Sequence, residues 1–195
     1  MALTERHLKM VFRHLTTNRK APRGKQFRTD LLLAQETSTS PRILESLAKS
    51  KNPEILVAVA RNVSTPEYIL RHLHGSTIDE VRCGAAENEM LPCDLMEVLL
   101  HDPVAEVRGA LASNLAVPEK ILDELALDSD DLVRWLAAQN PCTSDATLQR
   151  LAADPDEIVA RIASTHRKVR SGEEPGLAFL FKAAPGASIA NTAAA

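Results

Sequence analysis

A repeat of 26 residues runs through the chain from about Ser40 to Ser164, in five units with no gap between them. Residues of one type recur at fixed positions of the unit. Leucine fills one such column: Leu47, Leu73, Leu99, Leu125 and Leu151. Asparagine closes four of the units: Asn62, Asn88, Asn114 and Asn140. A fixed period of this length is typical of a solenoid, because each unit can bury its apolar face only against its neighbours.

Each unit predicts two short helices. In the second unit, Leu70 and Leu73 fall on one helical stripe, and Val81 and Ala85 fall on another. Helices of about ten residues are marginal alone because helix nucleation is unfavourable, so stacking on neighbouring units must stabilise them. We therefore expect an all-α solenoid of five two-helix units that loses structure cooperatively.

Polar residues at the turns predict how the units join. Thr65 precedes Pro66 at the start of a first helix, where threonine can cap the free N–H groups and proline suits the first helical position. The asparagines follow the second helices, but Asn140 precedes Pro141, which favours extended backbone over a left-handed cap. We therefore predict that the asparagine amides bridge the turn backbone of adjacent units as a buried ladder.

Charge divides the chain into three parts. Residues 1–36 hold eight basic and three acidic side chains (+5), residues 37–164 hold eleven and twenty-one (−10), and residues 165–195 hold four and two (+2). The first part predicts an N-terminal cap, with a helix over 3–16, a basic loop and a half-unit. The last part is a tail, whose apolar run 177–181 either covers the last unit or binds a partner.

No composition signal points to a metal, a cofactor or a membrane. The three cysteines, Cys83, Cys93 and Cys142, form no CxxC pair and suit a reducing compartment. No stretch approaches the ~20 apolar residues of a membrane span, and the charged N-terminus lacks the apolar core of a signal peptide. We expect a cytoplasmic protein that binds neither a metal nor a cofactor.

The repeat columns resemble the leucine-rich repeat variant family. The matching unit runs from Val117-Pro118 through Val133-Arg134 to Asn140-Pro141, and the resemblance covers about residues 37–164. It implies a right-handed superhelix in which one helix of each pair can be a 3₁₀-helix. An iron–sulfur cluster of that family is not implied here, because no cysteine precedes Cys83. HEAT repeats are a more distant resemblance, through an aspartate six residues before an arginine.

Arginine recurs at one column, in Arg82, Arg108 and Arg134. Such a row could face a phosphate or carboxylate ligand. It could equally form a structural ladder, in which each arginine bonds to an aspartate of its own or a neighbouring unit. The fixed offset of Asp102 and Asp128 from these arginines favours the structural ladder, because a ligand site would be local.

One column of the second helix differs in every unit and therefore predicts an exposed strip. Trp135 lies in this column beside Leu132, and a tryptophan flanked by an arginine is typical of an interface anchor. The alternative is that Trp135 packs under the 177–181 run. The residues we expect to bind a partner are Trp135, Leu132, Arg161, Glu106 and Glu80.

We expect a non-catalytic scaffold that binds another protein along this strip. An alternative hypothesis is that the chain is a nucleic-acid-associated HEAT-like solenoid. It would use the basic loop residues Arg19, Lys20, Arg23 and Lys25. The acidic repeats behind that loop would repel a long polyanion. A third is a HEAT-like enzyme of the base-excision or lyase type, which would need a carboxylate and aromatics to converge on the concave face. The chain has one Trp and one Tyr, and it carries no hydrolase or phosphate-loop motif.

Overall fold

The computed structural model describes residues 24–172. Eleven α-helices follow one another in this part of the chain. They are α1 (Lys25–Gln35), α2 (Pro41–Leu47), α3 (Pro53–Arg61), α4 (Glu67–Leu73), α5 (Asp79–Ala86), α6 (Cys93–Leu99), α7 (Ala105–Ala112), α8 (Glu119–Leu125), α9 (Asp131–Gln139), α10 (Asp145–Leu151) and α11 (Glu157–Ser171). The expected all-α solenoid is confirmed. The resemblance left a 3₁₀-helix open, but both helices of every unit are α-helical in the described chain.

The helices form two layers. The second helices of the units, α3, α5, α7, α9 and α11, pack directly against one another, and α1 packs against α3 at the start of the row. The first helices, α2, α4, α6, α8 and α10, pack chiefly against the second helices. We call the second helices, with α1, the inner layer and the first helices the outer layer.

Uniform columns fill the space between the layers. Leu70, Leu122 and Leu148 of the first helices are fully buried, as are Val81 and Val159 of the second helices. Each such side chain stabilises the fold by roughly 1.5–3 kcal/mol through burial. The buried side chains form two clusters, one between Ala34 and Ala85 and one between Leu70 and Ala163, and each cluster spans several units.

Small residues allow the inner helices to approach closely. A Cβ atom at Gly84 would lie 3.1 Å from the carbonyl oxygen of Val57 and 3.2 Å from the Cβ of Ala60, on the preceding inner helix. Ala58 and Ala110 occupy the same column in the neighbouring units. The low aromatic content of the chain follows from this spacing, because large side chains would separate the helices.

The asparagine ladder predicted from the sequence is confirmed. The Nδ2 of Asn114 donates to the carbonyl oxygens of Ala86 and Asn88 at 2.8 and 2.9 Å, and its Oδ1 accepts from the N–H of Ala116 at 2.8 Å. Asn114 thus ties its own turn to the turn of the preceding unit. Equivalent bonds are made by Asn62, Asn88 and Asn140.

The prediction that Thr65 caps a first helix was wrong. The helix has Pro66 at its cap position, and the Thr65 hydroxyl instead donates to the carbonyl oxygen of Val59 at 2.6 Å. Thr39 and Thr143 make the same bond to the carbonyl six residues earlier. These threonines are buried beside the last turn of a second helix, where carbonyl groups have no helical partner.

The arginine column forms the structural ladder. The hypothesis that these arginines face a phosphate or carboxylate ligand is not supported. Arg108 binds Asp128 of the next unit through two bonds, Nε to Oδ2 at 2.6 Å and Nη2 to Oδ1 at 2.8 Å. Its third nitrogen, Nη1, donates to the carbonyl oxygen of Asp102 at 2.7 Å. Arg82 and Arg134 bind Asp102 and Asp154 in the same way. The Nε, Nη1 and Nη2 atoms of each of these arginines therefore donate hydrogen bonds within the protein.

The electrostatics agree with these bonds. The pKa of Arg108 is raised by its hydrogen bond to Asp128. Burial acts to raise the pKa of the Asp128 carboxyl, yet that pKa is lowered overall by the bonds from Arg108 and the Asp130 N–H. Both side chains are mostly buried, with 14% of Arg108 and 8% of Asp128 exposed. The ladder is thus a row of charge-assisted bonds between successive units.

The C-terminal end continues the ladders beyond the repeat predicted from the sequence. Helix α11 passes through Ser164, the predicted end of the repeats, and ends at Ser171. His166 occupies the asparagine column, is buried, and bonds through Nδ1 to the carbonyl oxygen of Ala138 at 2.9 Å. One turn later, Arg170 donates to the carbonyl oxygen of Thr143 at 2.7 Å. These two side chains cover the turn that would otherwise face a sixth unit.

His166 makes the stability of this end depend on pH. Burial lowers its pKa, because the charged ring loses solvation, and nearby Arg170 acts in the same direction while Asp145 opposes it. A histidine pKa lowered by folding adds stability that is complete above the unfolded value of about 6.5 and is lost as pH falls through the folded value. The loss is about 1.4 kcal/mol for each unit of that shift.

We therefore expect the melting temperature of the wild type to fall between pH 7.5 and 5.5 more than that of His166→Asn. Asparagine keeps a donor near the Nδ1 position and does not titrate, although its smaller volume lowers stability equally at both pH values. Thermal melts of both proteins across this range give the comparison. Parallel curves would show that His166 is not the titrating group.

The N-terminal end is a half-unit. Ala34 of α1 is fully buried against the first unit, as the sequence predicts for a half-repeat. Leu32 occupies the same column as Gly84, which faces the preceding inner helix, and it is 67% exposed. The predicted helix over 3–16 and the tail run 177–181 lie outside the described residues.

Candidate binding surface on the inner helices

One side of the inner helices carries the variable column, whose members Gly109 and Trp135 are buried while the others are half-buried or exposed. On α5, Val81 and Ala85 are fully buried, whereas Glu80 and Cys83 lie on the opposite side of the helix. Three residues on each of α3, α5, α7 and α9, together with one residue on α11, define this surface, which we call the inner strip. It comprises Glu54, Val57, Arg61, Glu80, Cys83, Glu87, Glu106, Gly109, Ser113, Leu132, Trp135, Gln139 and Arg161.

Carboxylates line one edge of the inner strip. Glu54, Glu80 and Glu106 occupy the same position in the first turns of α3, α5 and α7. Glu80 and Glu106 are exposed, and Glu54 is half-buried. A carboxylate in the first turn is stabilised by the helix dipole, so each has a structural role on its own helix. Their repetition at one-unit spacing also creates a negative edge along the inner layer.

An ion pair crosses the strip at its other edge. Arg61 at the end of α3 binds Glu87 after the end of α5, with Nη2 3.2 Å from Oε1 and a second bond from Nε. Both side chains are part-exposed, so the pair contributes at most about 1 kcal/mol. The pair joins α3 to the residue after α5 at the edge opposite to Glu54, Glu80 and Glu106.

The prediction that Trp135 and Leu132 are exposed was wrong. Trp135 is 4% exposed and Leu132 is 6% exposed, and both belong to the hydrophobic core. Gly109 precedes Trp135 in the same column and is also buried. Val57 and Cys83 of this column are half-buried and Arg161 is exposed, so variation in the column does not by itself distinguish buried from exposed positions. Trp135 therefore does not serve as a surface anchor in this structure.

Three predicted binding residues do lie on the surface. Glu80 and Glu106 are exposed on the acidic edge, and Arg161 is exposed on α11 at the far end of the strip. Of the basic residues considered for nucleic acid, Lys25 is exposed at the start of α1. The others, Arg19, Lys20 and Arg23, lie outside the described residues.

The groups considered for catalysis or metal binding do not converge. Tyr68 lies on the outer helix α4, where its hydroxyl contacts Glu45, whereas Trp135 is buried on the inner helix α9. Among residues 24–172, no group of three His, Cys, Asp or Glu side chains is placed to share a metal ion. Within the same range, no helix has the length and apolar character needed to cross a membrane.

A comparison with solved structures finds a protein described as "a leucine-rich repeat variant with a novel repetitive protein structural motif". It is 18% identical to this chain, and the match covers 83% of this chain and 82% of that one, with a TM-score of 0.36. No protein-family model and no curated protein matches the chain. The match is to the kind of repeat protein that the sequence columns resemble. Its own repeating helices make the chain a helical repeat protein, and the comparison reports a similarity to one leucine-rich repeat variant.

Proposed function

We propose that this repeat protein is a non-catalytic scaffold whose inner strip binds a basic segment of another protein. The observation that carries the proposal is the negative edge formed by Glu54, Glu80 and Glu106, one carboxylate per unit. Stacked helices lie ~8–10 Å apart, which places these carboxylates at about that spacing. Seven residues of an α-helix, which is about two turns, rise by about 10.5 Å.

The matching partner is therefore a helix with lysine or arginine at every seventh residue. Such a helix, laid across the inner layer, would bring one cation to each carboxylate. Exposed pairs of this kind contribute little affinity each, but complementary charge sets orientation and accelerates association. Because Trp135 is buried, recognition depends on charge at the edge and on the half-buried side chains of Val57 and Cys83.

Charge reversal tests the proposal. We expect the double substitution Glu80→Lys and Glu106→Lys to weaken binding of a partner captured from the native host by tenfold or more, with most of the loss in the association rate. The matched control is Glu97→Lys with Glu124→Lys, which changes two exposed carboxylates of the outer helices α6 and α8 by the same net charge.

Binding is measured for all three proteins at low and high salt. Loss in the inner pair alone supports the proposal, and an equal loss in both pairs refutes it. Salt-sensitive capture of nucleic acid by all three proteins would favour the alternative in which the basic loop, including Lys25, binds a polyanion.

A further inference from the structure

The chain enters the described structure beside the acidic edge of the inner strip. Gly24 immediately precedes α1, which packs against α3 as the first helix of the inner layer. Equivalent helices of successive units run in the same direction, so the start of α1 lies at the same edge as the first turns of α3, α5 and α7. The described chain therefore begins at the edge that carries Glu54, one inner helix away, and Glu80, two inner helices away.

The charge of this N-terminal segment is opposite to that of the edge. Residues 1–23 hold six lysines and arginines and one glutamate, a net charge of +5. The last three of these cations are Arg19, Lys20 and Arg23. Five extended residues span about 17 Å, and stacked helices lie ~8–10 Å apart, so residues 19–23 are long enough to reach Glu54 and Glu80.

The apolar pattern also matches. The helix predicted over 3–16 has Leu8, Val11, Phe12 and Leu15 on one stripe. The middle of the inner strip carries the half-buried Val57 and Cys83, flanked by the acidic edge. An amphipathic helix commonly binds to a groove in this way, with its apolar stripe inward and its charged residues at the sides.

We propose that residues 1–23 bind to the inner strip of their own chain. Arg19, Lys20 and Arg23 lie beside Glu54 and Glu80, and the apolar stripe of the segment covers Val57 and Cys83. A tethered segment acts at a millimolar effective concentration, so it competes strongly with any separate ligand of the same surface. The consequence, that a basic partner must displace the segment, rests on the proposed function, whereas the intramolecular contact does not.

The native cysteines report on this contact in the full chain. Cys83 lies on the inner strip, whereas Cys93 on the outer helix α6 and Cys142 on a turn are exposed elsewhere. The probe is a thiol-alkylating reagent, and the alkylation rate of each cysteine is measured by mass spectrometry. If the segment covers Cys83, the Cys83 rate depends on the basic loop and the other two rates do not.

We expect Arg19→Gln, Lys20→Gln and Arg23→Gln together to raise the Cys83 alkylation rate about tenfold, which corresponds to ~1.4 kcal/mol of lost binding. The matched control, Arg19→Lys with Arg23→Lys, keeps the charge and leaves the rate low. Adding a synthetic peptide of residues 1–23 to the glutamine variant restores protection, which a loss of folding could not explain.

Three results would overturn the proposal. Equal Cys83 rates in the wild type and the glutamine variant would show that the segment does not cover the strip. Failure of the peptide to restore protection would show that the substitutions act by another route. Protection that increases with protein concentration would identify the occupant as the segment of a second copy. None of these results involves a partner, so they are independent of the charge-reversal test.

Discussion

Replacing Asn114 by alanine is expected to lower the free energy of unfolding by about 3–5 kcal/mol. The substitution leaves the carbonyl oxygens of Ala86 and Asn88 and the N–H of Ala116 without their bonds to the amide. A buried polar group that loses its partner costs about 1–3 kcal/mol, and three such groups are affected. Because typical domains have 5–15 kcal/mol of stability in total, the loss is a large fraction of it.

Two further variants distinguish the loss of the Asn114 amide bonds from the general effect of changing a side chain at this turn. Ser113→Ala changes the adjacent exposed residue, whose hydroxyl bonds only within its own helix, and we expect a change below about 0.5 kcal/mol. Asn114→Asp keeps an acceptor for Ala116 but turns a carboxylate oxygen toward two carbonyls, so we expect at least the loss seen with alanine. Urea unfolding of the three proteins measures these differences, and an unchanged midpoint for Asn114→Ala would rule out a structural role for the ladder.

The ladders could be predicted from one sequence because the repeat units can be aligned with one another. Asn62, Asn88 and Asn114 recur at one position in different units, so chance at any single site is averaged out. A side chain repeated every 26 residues must serve the junction that all units share. The fixed offset of Asp102 and Asp128 from the arginines indicated an arginine–aspartate ladder for the same reason, but it left open whether each arginine bonds within its own unit or to a neighbouring one.

The same comparison failed where the residue type changes along a column. Trp135 and Gly109 differ in size and chemistry at the same repeat position. This difference was interpreted as a sign of solvent exposure, although both residues are buried. Column variation cannot distinguish solvent contact from complementary packing, since both relax the demand for one residue type. For the inner strip, therefore, the sequence predicted the exposed carboxylates Glu80 and Glu106 but not the burial of Trp135.

The role of His166 was not predicted because a histidine here makes the bond to the preceding unit that an asparagine makes in the other units. The residue lies one period after Asn140, and this position was the available signal. Asn140 ends its helix in extended backbone, whereas α11 continues through residue 166. A different backbone at the same column requires a different side chain, and the imidazole supplies the donor to Ala138. A search by residue type overlooks such a replacement, whereas a search by position does not.

The first unit lacks the charged pair that the later units have, so the chain itself offers a natural comparison. We call each arginine–aspartate pair of the ladder a rung. The arginine column holds Leu56 in the first unit, and the aspartate position that would pair with it holds Ser76. Both charges are therefore absent together. Ser76 still accepts a hydrogen bond from the N–H of Ile78 at 3.2 Å, as Asp102 does from Val104. The turn keeps its local bond, and only the charge pair is absent.

Removing both members of a charged rung is expected to destabilise the protein by less than the sum of the two single removals. Arg108→Leu leaves the mostly buried carboxylate of Asp128 without its cation, and we expect a loss of about 3 kcal/mol in the free energy of unfolding. Asp128→Ser leaves the guanidinium of Arg108 without its anion, and we expect about 2–3 kcal/mol. The serine retains an acceptor for the N–H of Asp130, as Ser76 does in the first rung.

The double variant Arg108→Leu with Asp128→Ser reproduces the natural first rung, and we expect its loss to be smaller than the sum of the two single losses by about 1–3 kcal/mol. The difference measures the coupling between the two charges, since the local turn bond is preserved in all variants. Urea unfolding of the wild type, the two single variants and the double variant completes the cycle. Additive losses would show that the bidentate bonds contribute nothing beyond their separate side chains, and that the absence of both charges from the first rung has no energetic cause.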